Sequence, residues 1–423
     1  MPNIDRLSEM NPWWKTGSVR KELVPSFKRS MFSEIQKYMK MRQIIAIVGL
    51  RRTGKTTIML QTIDTLLKKG IDQKKILYFS FDENIKSLDE VMNIYRENIL
   101  KGDLDVEKTY IILDEIQKLR DWENKIKIYY DLYPNIKFLI TGSASLNILI
   151  DAKESLAGRI FYFNLNLLSF EEFLELKGKN TKEIKENVDL WKHEIKSEIN
   201  NYLLKPFAEI IDVDDDIAKR YIREGVIEKT IFRDLSSLFE IKDIELIDKL
   251  IGIISYNPGM IINLDEISRE QGRSRQTISN YLYYLRTCFV IRELKNFKGS
   301  FKVSSRKLKK YYPIHPCVAL ALGKPDQGKV VENLIQFVSQ SEHFWRESGK
   351  ETDFVLSKDN SILPIESKYS KHIRMRDIKG LIKFMDQFDV GTGLVITEDY
   401  EAEKIDNSKI IRFVPLWKWI LNN

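Results

Sequence analysis

Five apolar residues run directly into a glycine-framed basic loop, and no other stretch of the chain limits its fold as much. Ile44-Ile45-Ala46-Ile47-Val48 is the continuous apolar run of a strand buried on both faces of a parallel sheet. Gly49-Leu50-Arg51-Arg52-Thr53-Gly54-Lys55-Thr56 follows at once, in the spacing GxxxxGK then Ser or Thr, with Thr57 next. Met59, Ile63, Leu66 and Leu67 then recur at helical spacing, and Gly70 stands where a C-terminal cap belongs. Strand, loop, helix is the context this spacing requires. The glycines let the backbone wrap a phosphate, with amide N–H groups aimed inward at a helix N-terminus. Lys55 is then expected to face the β- and γ-phosphates of ATP, and the Thr56 hydroxyl to ligate Mg2+.

Such a loop needs a carboxylate at the end of a neighbouring strand. Tyr110-Ile111-Ile112-Leu113 ends on Asp114-Glu115. Asp114 is expected to hold Mg2+ through water, and Glu115 to polarise the attacking water. Phe138-Leu139-Ile140 leads to Thr141-Gly142-Ser143. Thr141 or Ser143 is expected to sense the γ-phosphate, with ordinary turn chemistry the alternative for either. Arg159, in Leu156-Ala157-Gly158-Arg159, reads as a catalytic arginine finger or as a surface salt bridge. Strand-like runs alternate with helical ones from 44 to 140, the pattern of a doubly wound parallel sheet.

At 423 residues the chain is too long for one core, and 43% hydrophobic with 30% charged residues excludes wholesale disorder and fibrous repeats. No run approaches the ~18 apolar residues of a membrane span. The start lacks a basic and apolar leader, and two cysteines, Cys288 and Cys317, with four histidines argue against a disulfide framework or a zinc site. The expectation is a cytoplasmic protein. Asn11-Pro12-Trp13-Trp14 is expected to pack on the body.

The net charge is +7, but Arg269 to Lys310 alone holds twelve basic and two acidic residues. That concentration reads either as the footprint of a nucleic-acid partner, with DNA the expected one, or as a solvated basic face. Asn263 starts a short helix, Gly272 makes a turn, and a second helix buries Ile278, Leu282 and Leu285. Arg273, Arg275, Gln276, Ser279 and Asn280 sit at its N-terminal or exposed positions, where a recognition helix meets base edges. Cys288-Phe289-Val290-Ile291 reads as a strand and Lys298-Gly299-Ser300 as a wing turn. Lys295, Lys298, Lys302, Arg306, Lys307, Lys309 and Lys310 are expected to meet phosphates. The alternative is a winged helix that docks a protein.

Near the end, Asp353 precedes Glu366 and Lys368 in the form D-x12-E-x-K. Glu366 and Lys368 share a strand face, and a hairpin through 358–361 brings Asp353 alongside. Two carboxylates and a lysine, with Glu332 as a further ligand, could hold Mg2+ and orient a water against a phosphodiester. An inert version that only binds partners is the alternative.

Together these motifs resemble the AAA-type ATPases of archaea and bacteria that join a P-loop domain to a C-terminal restriction-endonuclease-like domain. The resemblance is carried by the P-loop, Leu113-Asp114-Glu115-Ile116-Gln117, Thr141-Gly142-Ser143, Leu156-Ala157-Gly158-Arg159 and Leu168-Ser169-Phe170-Glu171-Glu172-Phe173. It runs from about residue 30 across nearly the whole chain. It departs at Lys205-Pro206-Phe207-Ala208-Glu209, where the family has Gly-Gly-Phe-Pro-Glu, and at Lys310-Tyr311-Tyr312-Pro313-Ile314-His315, where it has Lys-x-Tyr-Phe-x-Asp. It implies an α/β protein: a P-loop ATPase domain with a doubly wound parallel sheet over 1–168, a helical region over 169–244, a winged helix over 245–320 and a PD-(D/E)xK nuclease-like domain over 321–423. The expected function is an ATP-hydrolysing switch or motor acting with nucleic acid, coupled to the nuclease-like domain. The alternative is a regulatory ATP-binding protein whose C-terminal domains bind other proteins.

Overall fold

The computed structural model describes residues 4–82, 87–104, 106–142, 156–236, 239, 241–300, 303–358, 361–370, 372–406 and 408–422, with 300, 303–307 and 357–358 described by backbone alone. The chain divides into two compact units, Met1–Asn166 and Leu167–Asn423.

In the first unit, β1 (Ile44–Val48), β2 (Ile76–Ser80), β3 (Thr109–Asp114), β4 (Ile136–Gly142) and β5 (Ile160–Asn164) form one sheet in the order β2-β3-β4-β1-β5. Every neighbouring pair is parallel. β1, β3 and β4 are buried along their whole length, as their continuous apolar runs require. Because the strands are parallel, their C-terminal ends share one edge, and there β1 gives way to Gly49, β3 stops at Asp114 and β4 at Gly142. Ligands bind at that edge of open parallel sheets. The indole nitrogens of Trp13 and Trp14 donate to the Ile76 carbonyl at 3.0 and 2.9 Å, pinning the N-terminal arm to the start of β2.

The second unit begins with helices Phe170–Leu176, Thr181–Glu186 and Lys192–Leu204, the first opened by a Ser169–Glu172 capping box. Helix Ile244–Tyr256, β6 (Met260–Ile261), helices Leu264–Glu270 and Arg275–Thr287, β7 (Ile291–Ser300) and β8 (Val303–Pro313) follow. β8 pairs antiparallel with both β6 and β7. Residues 288–290 are not a strand, contrary to the apolar run read there. Cys288 ends the helix, Phe289 turns the chain at φ 56°, and β7 starts only at Ile291. The helix C-terminus needs that left-handed residue to reverse direction.

Helix Gln327–Ser339, β9 (His343–Glu347), β10 (Lys350–Lys358), β11 (Ser361–Lys368), helix Lys379–Gln387, β12 (Thr392–Thr397), β13 (Ala402–Asp406) and β14 (Lys409–Pro415) complete the unit. β7 pairs parallel with β9, so the basic hairpin and the C-terminal strands form one nine-stranded sheet, β13-β14-β12-β11-β10-β9-β7-β8-β6. Phe297 of β7 packs with Trp345, Leu381 and Phe384, joining the hairpin to the C-terminal core. No described helix is long and apolar enough to cross a membrane.

Candidate nucleotide site and a second carboxylate cluster

The loop after β1 is held in shape before any phosphate arrives. A Cβ on Gly49 would lie 2.3 Å from the Leu165 carbonyl oxygen, so only glycine fits between β1 and the end of β5. Gly54, at φ 96°, and Arg52, at φ 66°, take the left-handed turns that curl the loop. Arg29 braces it from the N-terminal arm, donating to the Thr53 carbonyl and to the Asn166 carbonyl, both at 2.8 Å. Nothing in the sequence around Arg29 signals that role. The Lys55 ammonium is buried and donates to the Gly49 and Leu50 carbonyls at 2.9 Å each.

Below the loop, Asp114 is only 4% exposed and gathers neutral donors. Its Oδ2 accepts from the Thr56 hydroxyl at 2.7 Å and from the Tyr78 hydroxyl at 3.1 Å. Its Oδ1 accepts from the Thr141 hydroxyl and from the Glu115 backbone N–H at 3.1 Å. The Thr56 hydroxyl and the Asp114 carboxylate thus stand side by side, two hard oxygen donors of the kind Mg2+ takes directly or through water. These residues therefore fit a magnesium site. Tyr78 was not foreseen; it rises from β2 toward Asp114, and an isolated tyrosine in an apolar strand carries no such signal.

Glu115 turns away from β3 at φ 53°, and its Oε2 accepts from the Gln117 side chain at 2.5 Å. Burial raises its carboxyl above the ordinary glutamate range; Lys55 opposes the shift and Asp114 adds to it. A carboxylate of raised basicity beside a phosphate loop suits a general base. Thr141 is fully buried and bonded to Asp114, while Ser143 lies outside the described residues. Arg159 is not brought to this site. Its carbonyl accepts from Ile44 N–H at the start of β1, the far end of a strand about 16 Å long, and its guanidinium pairs with Asp131 at 3.0 Å. Within its own chain it is the salt bridge, not a catalytic group.

In the basic segment, helix Arg275–Thr287 buries Ile278, Tyr281, Leu282 and Leu285. Arg273, Arg275, Gln276 and Ser279 are exposed, and Asn280 is half-buried. Arg273 pairs with Asp243 at 2.7 Å, Arg275 with Asp265 at 3.0 Å, and the Gln276 amide donates to Asn280 at 2.7 Å. Lys295 and Lys298 are exposed, whereas Lys309 donates to Glu293 at 3.1 Å. Lys302 and the side chains of Arg306 and Lys307 lie outside the described residues. Lys310 cannot meet a phosphate: it is 2% exposed and turned into the protein. The strand alternates, so Lys309 points out and Lys310 shares the inner face with Tyr312.

The inner face leads to the second cluster. Asp353 and Glu366 stand one step past the Phe354↔Ile365 pair of β10 and β11, and Lys368 donates to Glu366 Oε1 at 2.6 Å. Glu332 reaches in from helix Gln327–Ser339, and its Oε1 accepts from the Tyr312 hydroxyl at 2.7 Å. The four residues read from the sequence are thus gathered, with Lys310, Tyr312 and Glu351 added. Burial and the neighbouring Asp353 raise the Glu366 carboxyl. Burial pushes Asp353 the same way, but Lys310 and Lys368 outweigh it and hold Asp353 below its ordinary value.

Residues 41–174 match the family model described as an AAA domain, while 197–327 and 327–419 match two models described as domains of unknown function. The first unit is thus similar to an AAA domain over 41–166, and its parallel five-stranded sheet agrees with a P-loop fold. An uncharacterized protein of Methanocaldococcus jannaschii is 28% identical over 90% of this chain and 88% of its own length. An uncharacterized protein of Haemophilus influenzae is 25% identical over 89% of this chain and 94% of its own. Among solved structures, the Aeropyrum pernix ORC2 protein in its ADPNP–ADP complexes aligns over 74% of this chain and 95% of its own, at 14% identity and a TM-score of 0.38.

Proposed function

We propose that the chain is an ATP-hydrolysing switch that works with nucleic acid. The observation that carries the first half is the convergence of Thr56, Asp114 and Glu115 beneath the phosphate loop at the C-terminal edge of β1 and β3. Lys55 exchanges the Gly49 and Leu50 carbonyls for the β- and γ-phosphates, a charge-assisted bond in place of a weaker one. Thr56 and Asp114 would hold Mg2+, which draws charge from the phosphate oxygens. Glu115 takes the proton of the attacking water as the bond from the γ-phosphorus to the β–γ bridging oxygen breaks, leaving ADP and phosphate.

The second half rests on residues 244–313. Helix, short strand, two helices and a hairpin, with the short strand against β8, is the order of a winged helix. Arg275, Gln276 and Ser279 are exposed near the N-terminus of its second turn-flanking helix, and Arg273 is exposed in the turn just before it, as a major-groove reader requires. A protein-docking role is favoured by one observation: Arg273 and Arg275 already pair with Asp243 and Asp265. Both pairs lie at the surface, where salt screens them, so a phosphate can replace the acid at little cost. Steady-state ATP hydrolysis with and without duplex DNA is the test. Stimulation by duplex that weakens as salt rises supports the nucleic-acid role; turnover indifferent to DNA at low salt leaves the docking role.

A further inference from the structure

The second carboxylate cluster already contains a cation. Lys310 Nζ lies 3.3 Å from Glu332 Oε1, 2.6 Å from Glu351 Oε1 and 3.4 Å from Asp353 Oδ1. The ammonium donates hydrogen bonds to Glu332 and Asp353 and pairs by charge with Glu351. The outer oxygens of Glu332 and Asp353 have donors of their own, and that of Glu351 faces a guanidinium. Lys329 takes Glu332 Oε2 at 2.8 Å, Arg346 faces Glu351 Oε2 at 3.6 Å, and the Ser367 backbone N–H donates to Asp353 Oδ2 at 2.9 Å. Glu366 Oε1 is held by Lys368, and Glu366 Oε2 alone is buried with no hydrogen bond. Lys310, Lys329, Arg346 and Lys368 thus already supply the positive charge that a divalent ion would bring.

We propose that the Lys310 ammonium is the resident cation of the Glu332–Glu351–Asp353 cluster, standing where a shared divalent ion would stand. While it is there, the site takes no divalent ion and has no metal-activated water with which to cut a phosphodiester. Its work is to join elements. Lys310 belongs to β8 of the basic hairpin, Glu332 to helix Gln327–Ser339, and Glu351 and Asp353 to β10. Removing the ammonium strands the buried carboxylates of Glu332 and Asp353, and the half-buried one of Glu351, without their shared partner, the costly half of a broken buried ion pair. The inference stands apart from the ATPase reading.

The test uses the full-length, nucleotide-free protein and Mn2+ as the probe. Binding is followed by the loss of the free Mn2+ resonance, and stability by thermal unfolding with Mn2+ or with chelator. Wild type and Asp353→Asn should take up the same amount of Mn2+, and the wild-type Tm should not respond to it. Lys310→Met should unfold at a lower temperature and regain several degrees with Mn2+, because a bound ion stabilises only the folded form. Uptake by wild type that Asp353→Asn abolishes would overturn the proposal. So would a Lys310→Met protein as stable as wild type and indifferent to Mn2+. If Lys310→Met does not fold, the comparison of wild type with Asp353→Asn decides alone.

Discussion

Asp114, the last residue of β3, and Asp353, inside β10, are both buried carboxylates with a lysine near by, yet their surroundings differ in charge. Asp114 accepts only from neutral groups: the hydroxyls of Thr56, Tyr78 and Thr141 and one backbone N–H. Its lysine, Lys55, sits on loop carbonyls. Asp353 accepts from the Lys310 ammonium. Neutral donors fix a carboxylate's direction and leave its charge for an incoming ion; an ammonium uses that charge up. The pattern of acidic residues therefore does not distinguish a metal site from an ion-pair hub. The charge of the donors does.

The sharpest break in that comparison is Lys55→Ala. It removes the buried ammonium that faces the loop, and affinity for ATP–Mg2+ should fall by roughly 100-fold or more, as two charge-assisted bonds are lost; titration with a fluorescent nucleotide reads this. Unchanged affinity would take Lys55 out of phosphate binding. Glu115→Gln should keep ATP and slow its hydrolysis by roughly 10²- to 10⁴-fold, the worth of a general base, read as single-turnover phosphate release.

The pH dependence is a finer test of the same residue. Glu115 accepts a proton only when ionised, so hydrolysis falls as pH falls through its carboxyl pKa. Burial raises that pKa, which places the acid limb above the ordinary glutamate value. The Gln117 hydrogen bond favours the ionised form, so Gln117→Leu should move the limb further toward neutral pH. A limb that stays in place would remove Gln117 from the site. The smallest effect is expected from Tyr78→Phe. Losing one hydrogen bond to a charged group should raise the Mg2+ needed for half-maximal hydrolysis by roughly two- to tenfold. An unaltered Mg2+ requirement would make Tyr78 a packing residue.

The nucleotide site was largely legible in the sequence because its parts are local. The loop from Gly49 to Thr56 is contiguous, and Asp114-Glu115 ends an apolar run that can only be a buried strand. Arg29 and Tyr78 were illegible because each acts across a fold contact, 24 and 36 residues from its partner. At the other site the spacing of Asp353, Glu366 and Lys368 was legible, and a hairpin brought them together. Lys310 was misread for a physical reason. Its neighbours made it look like one charge in a solvated basic stripe, and net charge is blind to the side of a strand on which each residue falls. Strand alternation with Tyr312 was the available signal. The shared sheet was hidden too, since the parallel pairing of β7 with β9 joins segments more than forty residues apart.

One reaction tests the contrast between the two clusters most directly. Wild type is incubated with ATP, Mg2+ and Mn2+ and an end-labelled DNA duplex, and phosphate release and strand length are followed together. The account predicts that phosphate is released, that Glu115→Gln stops the release, and that every strand keeps its length. DNA cut by wild type and spared by Asp353→Asn would contradict it, as would phosphate release that Glu115→Gln leaves unchanged.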